Sequence, residues 1–267
     1  MSFVLPEEPE TDPALTQLVI AWVTSENWGE SRKFLSEHAD ELLTENAEIA
    51  VEELIEGNPD QEVLGLHQEL LEAARVGGID TAYDAIDESI RRFALAERLV
   101  AWVATQSWDE ARALFDQHAE EFGTDEAESV LDELVDDNPG QPDLLAHQGL
   151  LSLIRLDGAD FAFSILDEPE ALGDLVTSSA NRADPFRAIP RARLLAGLYP
   201  DNIGAQLALA TTALIIGDRN EAMRAIARCA ESLPQQQRSE LAEQLAKLAE
   251  AQPELASGLA SLQGILD

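Results

Sequence analysis

Residues 18–83 align with residues 98–163 without a gap, and 26 of the 66 paired positions are identical. An internal duplication of this length restricts the fold to one in which similar supersecondary units stand side by side, each covering an apolar face of its neighbour. The stretch AWVTSENWGESRKFLSEHADE at 21–41 returns as AWVATQSWDEARALFDQHAEE at 101–121. All four tryptophans and all four histidines fall in equivalent pairs: Trp22/Trp102, Trp28/Trp108, His38/His118 and His67/His147. Arg32 and Arg112 are equivalent as well.

Within each copy the apolar period is helical. Leu15, Leu18, Val19, Trp22 and Val23 recur at i, i+3, i+4, i+7 and i+8, matched by Leu95, Leu99, Trp102 and Val103. This predicts a first helix ending near Trp28. A second helix carries Phe34, Leu35, His38 and Leu42 on one stripe, matched by Leu114, Phe115, His118 and Phe122. Thr44 and Thr124 are expected N-caps, since each hydroxyl can accept an orphan amide at the start of an acidic first turn. The third helix stops at Asn58-Pro59 or Asn138-Pro139. A fourth contains Leu64, His67, Leu70, Leu71 and Ala74 and ends at Gly77-Gly78 or Asp157-Gly158. A fifth begins near Asp80 or Asp160, and in the first copy it can run on into 92–105. No segment shows strand alternation bounded by turn signals. The expected fold is all-α, a right-handed α-solenoid of helical hairpins with two 80-residue, five-helix repeats and a C-terminal hairpin unit.

The eighty-residue match does not extend to a third copy: Arg182 would face Trp22 and Leu198 would face His38. Residues 169–190, with three prolines and a Ser-Ser pair, read as a connecting segment. The expected organisation is a tail at 1–13, tandem repeats over 14–168 dividing near 93/94, the connector at 169–190, and a helical region with capping helices at 191–267.

Charge follows this organisation. The net charge is -35, made of -19 in residues 1–89, -15 in 90–180 and -1 in 181–267. Adaptation to a salty cytoplasm would acidify every exposed surface, so the cause is segmental. Such a surface repels nucleic acid; it either solubilises the chain or attracts a basic partner, including by mimicking a nucleic acid. With 15 arginines and 2 lysines, the basic residues point to a GC-rich genome. No run of about eighteen apolar residues occurs, and MSFVLPEEPETDP lacks the basic and apolar segments of a signal peptide. Cys229 is the only cysteine. A cytoplasmic protein without membrane contact is expected.

Residues 203–236 resemble a tetratricopeptide repeat, with Leu209, Ala210, Ala213, Gly217, Ala222, Ile226 and Cys229 at its small and apolar positions and Pro234 near its end. Gln206 stands where that family has an aromatic. The 80-residue units are similar to helical repeats of large actinobacterial and cyanobacterial proteins, some carrying caspase-like CHAT peptidase domains, with the pattern W…SRxFL…H…T…NP…H…L…G. The resemblance implies an adaptor or scaffold role. Along the expected groove the first-helix positions are Gly204, Leu207, Thr211, Leu214 and Ile215, which disfavours the basic carboxylate clamp some tetratricopeptide proteins use. An apolar groove, or one filled by the chain's own C-terminal helices, is expected instead.

The chemical candidates are few. Each histidine lacks a second histidine or cysteine at helical ligand spacing and is expected to be packed rather than metal-bound; His38 with Asp40 or Glu41 is the place where a metal would be sought. Six residues of helix turn about 600°, or 240° past a full turn, so Trp22 and Trp28 cannot share a face of one straight helix, and Trp28 is expected to wedge a helix pair. The acidic pairs Glu52-Glu53 and Asp136-Asp137 lack a calcium loop and read as solvated surface. No phosphate-binding loop or nucleophile motif is present, so neither an enzyme nor a cofactor is expected. Arg182, Arg187, Arg191 and Arg193 form the one basic cluster, which would grip an acidic ligand or pair with the neighbouring acidic repeat. The expected partner-binding residues are Leu207, Thr211, Leu214, Ile215, Arg187, Arg191 and Arg193, and the expected partner is a protein or peptide. Arg32 and Arg112 sit off the apolar stripe, and an intrachain ion pair is their expected role.

Overall fold

A computed structural model of the chain describes residues 11–167, 172–174, 176, 184–251 and 255–266. Arg182, the Ser-Ser pair, half of the expected connector and most of the expected N-terminal tail lie outside the described residues. The described residues are all-α, with no strand among them. The chain divides into two units, residues 1–93 and 94–267.

The first unit contains α1 (Pro13–Val23), α2 (Trp28–Glu37), α3 (Ala39–Leu42), α4 (Glu45–Gly57), α5 (Glu62–Gly77) and the start of α6 (Ile79–Val103). Sequence chemistry sets most of these boundaries. Asp12, Asn27 and Thr44 each accept a backbone amide of the following first turn, which satisfies donors that the helix itself leaves open. Gly78 ends α5 at φ 90° and ψ 154°, backbone space essentially restricted to glycine. The core gathers Val19, Trp22, Leu35, Leu42, Val51, Leu54, Leu64, Leu71 and Tyr83 from all six helices.

Two boundaries differ from expectation. The first helix ends at Val23, not near Trp28; the Thr24 amide donates to the Ile20 carbonyl and the Ser25 amide to that of Trp22, and Asn27 opens a new helix of which Trp28 is the first residue. The second helix breaks at His38, whose φ of -117° and ψ of 28° turn the chain into α3. No proline or glycine marks that corner, so the apolar period passes through it.

The second unit repeats the pattern. It holds α7 (Trp108–Gln117), α8 (Ala119–Phe122), α9 (Asp125–Asp137), α10 (Pro142–Asp157), α11 (Ala159–Ser164) and a 3₁₀ turn at Ile165–Asp167. Then come α12 (Pro185–Leu198), α13 (Ile203–Ile216), α14 (Arg219–Ser232), α15 (Gln235–Ala251) and α16 (Ala256–Leu266). One core runs from Leu95 through the second copy to Leu266. Here α10 is buried at every position from Leu144 to Ile154, whereas α5 keeps an exposed face. The reason is α12, which packs on α10 so closely that an added Cβ at Gly149 would lie 2.4 Å from the Leu194 amide nitrogen, and one at Gly197 would lie 2.4 Å from that of Ala146.

Helices α13 and α14 form a hairpin. Gly217 closes α13 at φ 90° and ψ 4°, with the Asp218 amide donating to Ala213 at 2.8 Å and the Gly217 amide to Leu214 at 3.2 Å, a Schellman pairing that meets the last carbonyls of the helix. Gln206 is fully buried. Its amide donates to the Ala196 and Pro200 carbonyls at 2.9 and 3.2 Å, fastening the hairpin to the end of α12 through hydrogen bonds that an aromatic side chain cannot make.

Candidate functional site

The duplicated tryptophans and histidines converge in each unit. In the first, the Trp22 ring meets His67 edge-on at 4.8 Å between centroids and Trp28 stacks on it at 5.0 Å. In the second, Trp102 and Trp108 hold His147 at 4.7 and 4.9 Å. Trp22 and Trp28 do not share a straight helix; the turn at 24–27 brings both to the same imidazole. Nδ1 of His67 lies 2.8 Å from the Val63 carbonyl, and Nδ1 of His147 lies 2.8 Å from that of Asp143. Burial lowers the pKa of both imidazoles against the opposing effect of these bonds. They are neutral packing groups, with Nδ1 as the donor. His38 and His118 are only half-buried at the helix corners, with His118 Nδ1 3.7 Å from Glu121. Among the described residues no group of three or more His, Cys, Asp or Glu is placed to hold a metal ion.

The buried hydroxyls differ between the copies. Trp22 Nε1 donates to the Tyr83 hydroxyl at 3.0 Å, and that hydroxyl lies 2.7 Å from Ser31 Oγ. The second copy has Phe163 and Ala111 at the equivalent positions, and Trp102 Nε1 donates to the Ala111 carbonyl at 2.9 Å. Both hydroxyls are replaced together, and the indole N–H is satisfied either way.

The expected binding arginines each pair with a carboxylate of the second unit. Arg187 and Arg191 reach Asp157 at 3.3 and 2.9 Å, pairing with the acidic second copy as one of the two expectations held. Arg193 makes a two-point bond to buried Glu221 at 2.6 and 2.9 Å. Arg224 reaches Asp136 at 2.7 Å, so Asp136 is paired rather than simply solvated. Of the expected groove residues, Leu207 and Thr211 are half-buried and Ile215 is exposed. Leu214 is buried, its Cδ2 against Gly258 of α16. The C-terminal helices therefore cover part of that face. Burial pushes the Cys229 thiol up to about 11, which suits an unreactive core residue.

A different feature is open. Leu156 and Phe186 are 45% and 72% exposed at the ends of α10 and α12. They line a slot of about 360 Å³ together with Ile189, Pro190, Arg155 and Glu128. Arg155 pairs with Glu128 and Asp125, and Ser152 Oγ donates to Glu128 at 2.6 Å. The slot thus has an apolar rim and floor and an internally neutralised polar wall. Beside it runs α9, with seven carboxylates and no basic residue in thirteen positions. The arrangement can seat an apolar side chain next to a cationic one.

Sequence reading did not find this slot. The signals were the mid-helix Gly149 in an otherwise apolar run and Phe186 beside Pro185, and both lie in the stretch that joins the second copy to the C-terminal helices. No protein-family model, no curated protein and no solved structure matches the chain.

Proposed function

We propose that the protein is a non-catalytic, cytoplasmic scaffold of tetratricopeptide-like α-solenoid design that binds a segment of another protein. The observation that carries this reading is the exposure of Phe186 and Leu156, 72% and 45%, on one apolar slot adjoining the all-acidic α9. An exposed phenylalanine at the mouth of a slot is the kind of anchor that dominates protein–protein contacts. The neighbouring carboxylates select a segment with an apolar residue flanked by lysine or arginine. Arg187, Arg191 and Arg193 then act as internal ties that fix the α10 and α12 walls.

The second reading, an acidic decoy for the basic surface of a nucleic-acid-binding partner, draws on the net charge of -19 in residues 1–89. A peptide-library selection separates the two. The slot reading expects apolar-basic peptides whose binding weakens at least about tenfold in Phe186→Ser and survives moderate salt. The decoy reading expects binding that is lost in salt and indifferent to Phe186→Ser. Selection that enriches no apolar anchor overturns the slot reading.

A further inference from the structure

We propose that a polar cavity beside the apolar slot is an ammonium subsite, which takes the side-chain head of a lysine in the peptide that the slot binds; the peptide rests on the slot reading, the ammonium on the cavity itself. The cavity measures about 100 Å³ and lies between α9, α10, α12 and the start of α14. Arg193 lines both spaces. Their other walls are neighbouring turns of the same helices: Gln148 of the cavity precedes Ser152 of the slot on α10, and Asp132 follows Glu128 on α9. Residues four apart share a helix face, so the two spaces adjoin along one groove.

Charge and an unmet acceptor select the occupant. Four carboxylates, Asp132, Asp136, Asp218 and Glu221, line the cavity against three guanidiniums, which leaves one negative charge over. Each guanidinium is already engaged: Arg193 with Glu221, Arg224 with Asp136, and Arg228 with Gln206 Oε1 and the Pro139 carbonyl. Burial lowers the Arg193 pKa, yet Glu221, Asp132 and Asp218 together raise it above its ordinary value. Gln148 is only 5% exposed, and its Nε2 donates to Asp132 Oδ1 at 2.6 Å. That bond fixes which way the amide points. Its other end, Oε1, accepts no hydrogen bond from any described residue. The first copy has the equivalent pair, Gln68 and Glu52, 3.4 Å apart and exposed; α12 and α14 enclose the pair of the second.

An ammonium has three N–H donors and no acceptor, and it carries the one positive charge the cavity lacks. Besides Gln148 Oε1, it has the second oxygens of Asp132 and Asp218, whose first oxygens serve Gln148 and the Glu221 amide. A guanidinium binds best with both oxygens of one carboxylate side by side, and here one oxygen of each is taken. Lysine is therefore favoured over arginine. Gln148 lies about 12 Å along α10 from Leu156, and an extended peptide advances about 3.3 Å per residue, so the lysine stands about two to four residues from the apolar anchor.

Titration of the isotope-labelled intact chain with n-butylammonium chloride, followed by nuclear magnetic resonance at the Gln148 side-chain amide, tests the subsite; that resonance is the one lost in Gln148→Leu. At constant ionic strength the expected result is a saturable shift with a midpoint of about 1–10 mM, at least about tenfold weaker in Asp132→Asn and absent with tetramethylammonium, which has no N–H to donate. In a slot-binding peptide, norleucine in place of the lysine should weaken binding to the parent at least about tenfold and binding to Asp132→Asn hardly at all, and arginine there should weaken the parent too. A shift that never saturates, that tetramethylammonium reproduces or that Asp132→Asn leaves unchanged overturns the subsite and makes the cavity a water-filled gap. Butylammonium binding beside a peptide indifferent to norleucine overturns the assignment to a peptide lysine. Phe186→Ser should weaken the peptide and leave the butylammonium titration untouched, so the slot reading and the subsite fail separately.

Discussion

Arg32 Nη2 lies 2.7 Å from Asp80 Oδ1, and eighty residues later Arg112 Nη2 lies 2.8 Å from Asp160 Oδ1. The second carboxylate held by each guanidinium has moved. Arg32 takes Asp84 at 2.9 Å, where the second copy has Ser164; Arg112 takes Asp116 at 3.0 Å, where the first copy has Ser36. Arg112 also lies 5.1 Å over the Phe163 ring. The carboxylates are well exposed, so screening by water and salt limits what each pair contributes. Arg32→Ala and Arg112→Ala should lower the unfolding midpoint slightly at low salt and hardly at all at high salt, as thermal melts at the two ionic strengths would show. A large, salt-independent loss would mean that the arginine stems, rather than their charges, support the packing.

The Trp22, Tyr83 and Ser31 network supplies a sharper test, because the second copy shows a working alternative. Tyr83→Phe alone leaves the Trp22 N–H and the Ser31 hydroxyl in a buried space without their shared partner, at a cost of about 1–3 kcal/mol. Adding Ser31→Ala reproduces the Phe163 and Ala111 combination of the second copy, where the indole turns to a backbone carbonyl. The double variant should therefore be no less stable than Tyr83→Phe, with a coupling of about 1 kcal/mol or more in a double-mutant cycle from denaturant unfolding. Additive losses would show that the Trp22 N–H cannot find the alternative acceptor.

Helix type and most helix ends were legible because they rest on local chemistry: apolar spacing, the Thr44 and Thr124 caps, the Gly78 and Gly158 stops. The ion pairs of Arg32 and Arg112 were legible as a class, since an arginine kept off the apolar stripe among so many carboxylates has few other uses. The corner at His38 was not, because Glu37, His38 and Ala39 carry no breaker and the turn is imposed by packing. Nor was the convergence of Trp22 and Trp28 on His67, which depends on a helix break placed only a few residues from where the pattern put it. The slot at Phe186 was hidden for a related reason: it is made by the approach of α12 to α10, a long-range event whose traces in the sequence are Gly149, Gly197 and Phe186 beside Pro185.

The buried histidines make stability depend on pH. His67 and His147 have pKa values lowered from the ordinary 6.5, mainly by burial, so the folded state resists protons that the unfolded chain accepts. The unfolded state then binds more protons as pH falls through about 6.5, and stability declines with falling pH by up to about 1.4 kcal/mol per unit for each histidine, until the folded groups titrate. Protonation of the carboxylates relieves repulsion at lower pH and acts the other way. The measurement is accordingly a difference: urea unfolding between about pH 7.5 and 5.5 for the parent and for the His67→Gln, His147→Gln double variant. The parent should lose stability more steeply on acidification. Parallel curves would mean that the imidazoles accept protons in place.

The glycines at the α10–α12 crossing give the largest expected effect. A Cβ at Gly149 would meet Leu194 N at 2.4 Å, Pro190 O at 2.6 Å and Leu194 Cα at 2.9 Å. At Gly197 it would meet Ala146 N, Cα and Cβ at 2.4, 2.7 and 2.7 Å. Most of these neighbours are backbone atoms that no rotamer change can move, so the helices must separate. Each alanine should cost about 1–3 kcal/mol or more, despite the better helix propensity of alanine. Gly65 and Gly264 serve as controls: both are helical, and a Cβ at either meets nothing within 4 Å, so alanine there should stabilise by up to about 1 kcal/mol. Denaturant unfolding of the four single variants decides it. If Gly149→Ala and Gly197→Ala behaved like the controls, the two helices would not be in backbone contact. Because Phe186 and Leu156 are carried by these same helices, separation should also loosen the slot between them and weaken peptide binding in the Gly149→Ala protein that remains folded.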